Sequence, residues 1–500
     1  MARTIHSEPS RTFAEYRLLT GFTAREAAIE KISLRTPLVK YDTLKQAESQ
    51  IMMNIPFLSA AMQAVTGTKM AVALARKGGM GVVYCSQPIE SQAEMVRAVK
   101  NYRAGFVIPD VFSPDTYIHE VVKRIDQKGY SSFPITDTGR IGGKLMGIIT
   151  KSDFNRERHM NSLVKERMTT NIVVGKNMRD LHEASELLRE SHVSCIPVVD
   201  SEGRLQSIVF RKDVDENISN PHAVMDDKKR LRVGAAISTH DYNERVPVLL
   251  EAGADVLFID SSDGYTVYQK DCLEFMRDNY PNIPVVGGNV ISKDGFDFLV
   301  ENGAWAVKVG MGGGSICITQ EQKGTGRGQA TAVRDCVEAR NAYLKKTGIY
   351  IPIISDGGIV TSRDMVIALS IGADSLMMGR YFARFDESPT EVDRVKGLKP
   401  YWGEGSERAR TWQKARYSQA IFSEGVDGYV PYLGPMKKTL SSTLLKIKAS
   451  MSSAGCASIR ELHEKAILEP VSELAIREGK AHDIIMSDEL GAYKEVSWGE

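Results

Sequence analysis

The stretch NERVPVLLEAGADVLFID, Asn243–Asp260, holds a whole helix-to-strand unit in eighteen residues. Val246, Leu249 and Leu250 fall at three- and four-residue spacing, which predicts an amphipathic helix. Gly253-Ala254 ends it, as a glycine past the last helical turn does. The run DVLFID that follows is apolar on both faces, the pattern of a parallel strand covered by helices. The same unit recurs as GFDFLVENGA before AVKVGM (306–311) and RDMVIALSIGA before DSLMMG (374–379). Further strand-like runs are FLSAAM (57–62), GMGVVY (79–84), RVGAAI (232–237), PVVGGN (284–289) and PIISDG (352–357).

Eight such strands alternating with helices predict an α/β fold, a (β/α)8 TIM barrel. A doubly wound sheet usually has fewer repeats, and no fourfold repeat of a smaller unit is visible. Reactive residues of such a barrel belong just after the strands, at the C-terminal rim. The polar ends obey this: Asp260-Ser261-Ser262, Asn289, the stretch VGMGGGSICITQ (309–320), Asp356-Gly357-Gly358 and Gly379-Arg380.

The chain's 500 residues allow about two to four domains. A net charge of +1 gives no reason to expect a nucleic acid or a membrane surface as partner. No apolar run approaches the ~20 residues of a membrane span. The start MARTIHSEPS has no apolar core, so no signal peptide is expected. Cysteines 85, 195, 272, 317, 336 and 456 lack CxxC spacing, which points away from disulfides and zinc and towards a reducing cytoplasm.

Residues 85–231 exceed one strand-to-strand connection. They contain FPITDTG then GIITKSDF, and IPVVDSEG then SIVFRKDV, with prolines 134 and 197 sixty-three residues apart. Two tandem hairpin units are expected in an inserted domain at 105–217 (repeats about 107–154 and 168–214), leaving 1–104 and 218–500 for the barrel. The repeat resembles a pair of cystathionine-β-synthase-type (CBS) modules. The insertion either binds adenine or guanine nucleotides or supports assembly without a ligand. A second long segment, about 385–430, is rich in Arg, Glu, Gly and Ser with weak periodicity, and its place beside the barrel mouth suggests a mobile cover.

Glycines 310, 312, 313 and 314 allow close approach of backbone to a bound group. The spacing is not GxGxxG, because position 315 is serine, so a dinucleotide fold of that kind is disfavoured. The loops after strands seven and eight commonly form a phosphate site in barrels. Gly357, Gly358 and Gly379 offer amides there and Arg380 a bidentate cation. A carboxylate at Asp356 suits sugar hydroxyls instead, so a nucleotide or sugar phosphate is expected. A lone cysteine is usually a small core residue. On a glycine-rich rim loop Cys317 is instead a candidate nucleophile for an electron-poor carbon such as C2 of a purine.

GMGGGSICITQ, SDGGI, GADSLMMGR, YWGEGS and the CBS-like insertion together resemble the inosine-5′-monophosphate (IMP) dehydrogenase/GMP reductase family, from about Phe13 to Asp483. The resemblance implies oxidation of IMP to xanthosine monophosphate with NAD⁺ and water, the committed step of guanine nucleotide synthesis. Cys317 would match the nucleophile that forms a thioimidate at C2. Arg416 and Tyr417 would match the cover's water-activating pair, and Thr319 a residue assisting that water. Ser315, Gly357, Gly358, Gly379, Arg380 and Tyr401 would form the phosphate shell and Asp356 would hold the ribose. Met62, Trp402, Gly403, Glu404, Gly405 and Glu424 would lie around the base. Asp260, Ser261, Ser262, Asn289, Gly310, Met311 and Gly312 would lie towards NAD, with His240 and Tyr268 as possible adenine-side contacts. The family also binds a monovalent cation, usually K⁺. Its loop ligands match the carbonyls of Gly312, Gly314 and Cys317, and Glu478, Gly479 and Lys480 resemble a neighbouring subunit's contribution. A homotetramer is implied. A GMP reductase with a CBS insertion and a non-catalytic nucleotide sensor are the competing readings; an intact Cys317, Arg416 and Tyr417 argue against the sensor.

Overall fold

Val256 and Phe258 of the opening stretch pack inside a barrel, while Leu257 and Ile259 face the surrounding helices. That two-sided burial is why the strand reads as a continuous apolar run. The computed structural model describes residues 5–410 and 422–482, apart from 47, 103–105, 108, 129–130, 179–180, 212–213, 215–219, 229 and 481. Eight parallel strands close the barrel: β1 (Phe57–Ser59), β2 (Met80–Val83), β3 (Gly234–Ile237), β4 (Val256–Ile259), β5 (Val285–Val290), β6 (Ala306–Val309), β7 (Ile353–Asp356) and β8 (Ser375–Met378). All eight sequence-predicted runs hold a barrel strand; six stop one to three residues short of the rim end of the run, RVGAAI keeps its rim end at Ile237, and the strand in PVVGGN runs one residue further, to Val290.

Helices α1 (Thr68–Arg76), α2 (Ile89–Lys100), α3 (Tyr242–Ala252), α4 (Val267–Asn279), α5 (Lys293–Glu301), α6 (Gln329–Thr347), α7 (Ser362–Ile371) and α8 (Met436–Ser453) accompany the strands. Gly253 closes α3 with φ 98, a left-handed cap that L side chains disfavour. Thr361 and Asp364 form a reciprocal capping box at the start of α7. Leu58, Met80, Val82, Ala236, Val286, Ala306, Ile354 and Met377 fill the barrel with Val256 and Phe258. Burying each large side chain of this kind contributes roughly 1.5–3 kcal/mol.

Between α2 and β3 the chain builds separate small sheets. Ser132–Thr136 pairs with Leu145–Thr150, and Cys195–Val199 with Leu205–Phe210, both antiparallel. Each hairpin has its own apolar cluster, around Phe133, Ile135 and Ile149 and around Ile196, Val198 and Val209. The hairpin tips join through Gly142 N to Leu205 O at 2.8 Å and Leu205 N to Gly143 O at 2.9 Å. Phe106–Val107, at the head of the first repeat, pairs with Val209 and Ile208 of the second. Ile148 of the first in turn bridges Thr169. Each half thus completes its sheet with backbone from outside its own hairpin.

The cover segment is more ordered at its roots than weak periodicity predicts. Leu398–Trp402 and Asp427–Pro431 pair antiparallel, from Leu398 opposite Pro431 to Trp402 opposite Asp427. Pro400 in one strand and Pro431 in the other mask the strand signal. Trp412, Arg416 and Tyr417 lie outside the described residues.

Candidate active site

The loop after β6 places its functional atoms by backbone economy. Gly310 has φ +145, and a Cβ there would fall 2.0 Å from the carbonyl oxygen of Asp356, so the loops after β6 and β7 touch only through glycine. Gly358 N donates to Gly313 O at 2.9 Å and fastens them again. Cys317 N donates to Gly314 O at 3.1 Å, turning the cysteine towards the barrel axis.

Cys317 Sγ lies 3.1 Å from Thr319 Oγ1, and Thr319 Oγ1 donates to Glu424 Oε2 at 3.0 Å. The threonine proton is committed to the carboxylate, so the thiol donates to Oγ1. The three groups form one directed path for a proton leaving sulfur. Glu424 reaches this position because the returning cover segment docks on the loop: Ile318 N donates to Glu424 O, and Val426 N to Ile316 O, each at 3.0 Å.

The opposite wall is a charged cluster. Asn289 Nδ2 donates to Asp356 Oδ2 at 3.0 Å and to Gly310 O at 2.8 Å. Lys308, only 4% exposed, donates to Asn289 Oδ1 and has its ammonium 3.3 Å from Asp356 Oδ2 and 3.9 Å from Asp260 Oδ1. An ammonium so buried is tolerable because carboxylates and an amide surround it. One cation therefore links Asp260 and Asn289 to Asp356.

The third wall joins β8 to the cover. A Cβ on Gly379 would fall 2.6 Å from Tyr401 Oη and 3.0 Å from Met62 Sδ, so this contact also requires glycine. Burial, then the Asp356 charge, pushes the Tyr401 phenol up, which keeps it a neutral donor. Glu404 accepts from Gln63 N at 2.6 Å and from Ser86 Oγ. Trp402 Nε1 donates to Gln63 Oε1 at 3.1 Å. These bonds pin the Tyr401–Gly405 segment to the loops after β1 and β2.

The walls enclose a cleft of about 1030 Å³ of free space, part of it open to solvent. Of the sequence-predicted residues, Met62, Asp260, Ser262, Asn289, Gly310, Met311, Gly312, Gly314, Cys317, Thr319, Asp356, Gly357, Gly379, Tyr401, Gly403, Glu404, Gly405 and Glu424 line it. Ser261, Gly358, Arg380 and Trp402 adjoin lining residues without lining it, and Ser315 is exposed. His240 and Tyr268 do not line it either. Glu478, Gly479 and Lys480 end the helix Glu473–Glu478, beside Arg17 and away from these walls. Sequence reading passed over Lys308, hidden inside the apolar run AVKVG, although its even spacing from the inward-facing Ala306 marks it as pointing into the barrel. It also passed over Gln63, Ser86 and Lys323. Among the described residues no group of three or more His, Cys, Asp or Glu could hold a metal ion.

Cys317 is half-buried, whereas the other five cysteines are buried. Burial pushes the Cys272 thiol up to about 12 and raises Cys85, Cys336 and Cys456 as well. Brief iodoacetamide treatment of the native protein should therefore alkylate Cys317 first, read by peptide mass. Equal labelling of a second cysteine would contradict this geometry.

The family model for the IMP dehydrogenase / GMP reductase domain matches residues 10–482. An inosine-5′-monophosphate dehydrogenase of Tritrichomonas foetus is 45% identical over 498 residues, 98% of this chain and 99% of the relative. That of Pasteurella multocida is 36% identical over 466 residues, 91% and 94% of the two chains. Among solved structures, a cysteine-to-alanine GMP reductase of Trypanosoma brucei in complex with guanosine 5′-monophosphate superposes with a TM-score of 0.80 at 27% identity, covering 96% of this chain and 99% of the other. With the barrel, the rim cysteine and these likenesses in agreement over nearly the whole length, the chain belongs to the IMP dehydrogenase / GMP reductase family.

Proposed function

We propose that this protein oxidises IMP to xanthosine monophosphate: IMP + NAD⁺ + H₂O gives XMP + NADH + H⁺. The observation that carries the reading is the thiol-to-carboxylate chain Cys317–Thr319–Glu424 in the cleft at the barrel mouth, in a chain 45% identical to an IMP dehydrogenase.

Cys317 sulfur attacks C2 of the purine while its proton passes to Thr319 and the threonine proton to Glu424. Loss of hydride from C2 leaves a thioimidate on Cys317. NAD⁺, when bound, supplies the hydride acceptor. Asp260, Ser261, Ser262, Asn289, Gly310, Met311 and Gly312 would hold it. They fit, since all but Ser261 line the cleft and Gly310 and Gly312 add no side chain there. Asp356, its Oδ2 engaged by Asn289 and Lys308, has Oδ1 available for ribose hydroxyls. Tyr401, Gly379, Gly357, Gly358, Ser315 and Arg380 would hold the phosphate, and Met62 and Trp402–Gly405 the base.

Hydrolysis of the thioimidate puts water oxygen on C2 and returns a proton to sulfur. The cover's Arg416 and Tyr417 would activate that water, so Arg416→Ala should slow hydrolysis while sparing the pre-steady-state NADH burst. A burst that vanishes together with turnover would argue against that role. K⁺ would sit on the carbonyls of Gly312, Gly314 and Cys317 with Glu478, Gly479 and Lys480 of a neighbouring copy. One turn supplies the first three, and Gly314 O keeps a second lone pair beyond its bond to Cys317 N.

The insertion at 105–217 is read as a CBS-like pair for adenine or guanine nucleotides. A homotetramer is the assembly that the family resemblance implies. Free cysteines support a cytoplasmic setting, and no helix among the described residues could cross a membrane.

The structural likeness to GMP reductase keeps one rival, deamination of GMP with NADPH. Incubation with IMP and NAD⁺ should produce NADH absorbance. Consumption of NADPH by GMP, with no NADH from IMP, would overturn the proposal.

A further inference from the structure

The hydrogen-bond chain from the nucleophile does not end at Glu424. Lys323 Nζ lies 3.3 Å from Glu424 Oε1, the oxygen opposite the one that accepts from Thr319. Thr319 opens the short helix Thr319–Lys323 and Lys323 closes it, with Gly324 capping in the left-handed region. Four residues apart, the two side chains rise from one face and meet the same carboxylate from either end. That carboxylate is 7% exposed and Thr319 3%, whereas the Lys323 side chain is 37% exposed. The backbone of Glu424 is held independently, by Ile318 N on its carbonyl and by its own N–H on Gly405 O at 3.2 Å. What remains to be fixed is the rotation of the carboxylate about its last bond.

We infer that Lys323 is a positioning residue for the reaction, clamping Glu424 so that Oε2 stays on Thr319 and the departing thiol proton has an acceptor. The inference rests on the reading of Cys317 as nucleophile. In the step it serves, the S–C2 bond forms from a sulfur lone pair, the Sγ proton moves to Thr319 Oγ1, and the threonine proton moves to Glu424 Oε2. Glu424 ends the step as a neutral acid. With Lys323 removed, Oε1 loses this donor and the carboxylate turns, so Thr319 loses its proton acceptor. A plain surface ion pair would do none of this, being worth little to stability and nothing to the chemistry.

Five variants test it: K323M, K323R, E424Q, the double variant K323M/E424Q, and K323Q as a neutral hydrogen-bonding control. The measurement is the rate of the NADH burst after mixing enzyme with IMP and NAD⁺, alongside KM for IMP and the thermal midpoint. K323M should slow the burst about tenfold to a hundredfold, at or below the lower limit of a general-base contribution because the base is misaligned and not removed. KM for IMP should stay within about threefold and the thermal midpoint should be unchanged. K323R should recover most of the rate and K323Q fall between. In the E424Q background K323M should add no more than about twofold, because both changes disable one path. A K323M burst within about twofold of the wild type would overturn the inference. So would an equal additional loss in the E424Q background, or a loss expressed only in KM. A wild-type protein that makes no NADH from IMP would sink the dehydrogenase reading and this inference together, whereas a wild-type burst with an unaffected K323M sinks the inference alone.

Discussion

Cys317→Ala should abolish IMP turnover and leave IMP binding within a few-fold of the wild type. The sulfur is the strongest nucleophile among the described residues that line the cleft, half-buried and hydrogen-bonded towards an acceptor chain that ends in a carboxylate. Alanine removes that atom and adds none, so the cleft stays open to the nucleotide. Loss of a covalent nucleophile costs on the order of 10⁴-fold or more in rate, since the reaction must then proceed by direct attack of water. Binding is carried by other walls: Asp356 beside Asn289, Gly379 against Tyr401, and the pinned Tyr401–Gly405 segment. Calorimetry with IMP and an NADH assay on the same preparation separate the two effects. Turnover retained to within about tenfold would remove the covalent route, and loss of binding along with turnover would mean that the loop, not the sulfur, had been lost.

The second large effect is expected at Asp356. Its Oδ2 is the meeting point of Asn289 Nδ2 at 3.0 Å and Lys308 Nζ at 3.3 Å, and it stands between the two candidate substrate regions. Removing one member of a buried ion pair costs about 3–5 kcal/mol, because the other charge remains. Lys308 keeps Asn289 and Asp260 nearby, and the Asp356 side chain is 23% exposed, so the lower end applies. That cost falls on folding stability; for the reaction, two charged hydrogen bonds lost to ribose hydroxyls, about 1.5 kcal/mol or more each, come to roughly a hundredfold. Asp356→Ala should therefore lower kcat/KM for IMP by about a hundredfold or more. Asp356→Asn should fall less far, because its amide oxygen can still face the ammonium. A loss of less than about tenfold for the alanine variant, measured in initial rates over a range of IMP concentrations, would mean that Asp356 is not the ribose ligand.

Much of this is legible in the sequence, for physical reasons that vary by residue. Strands such as DVLFID announce themselves because both faces are buried, and the rim positions follow from where each apolar run stops. Cys317 stands out because four of the seven residues before it on a rim loop are glycines. The partners of these residues were hidden by chain distance. Glu424 meets Thr319 from 105 residues away, and Glu404 meets Ser86 from 318 away. No local pattern encodes such meetings; the barrel and the paired roots of the cover create them. Lys308 was hidden differently, as one charge in an apolar strand. Phe106–Val107 was hidden by topology, since its partner strand belongs to the other repeat.

The central claim is that Cys317 carries the purine as a covalent intermediate. Quenching the enzyme in acid after brief reaction with IMP and NAD⁺, then weighing the intact chain and its peptides, tests it most directly. A mass gain of one IMP less a hydride and a proton, confined to the peptide bearing Cys317, is the predicted result. An unmodified chain during active NADH production, or the same gain on another residue, would contradict it.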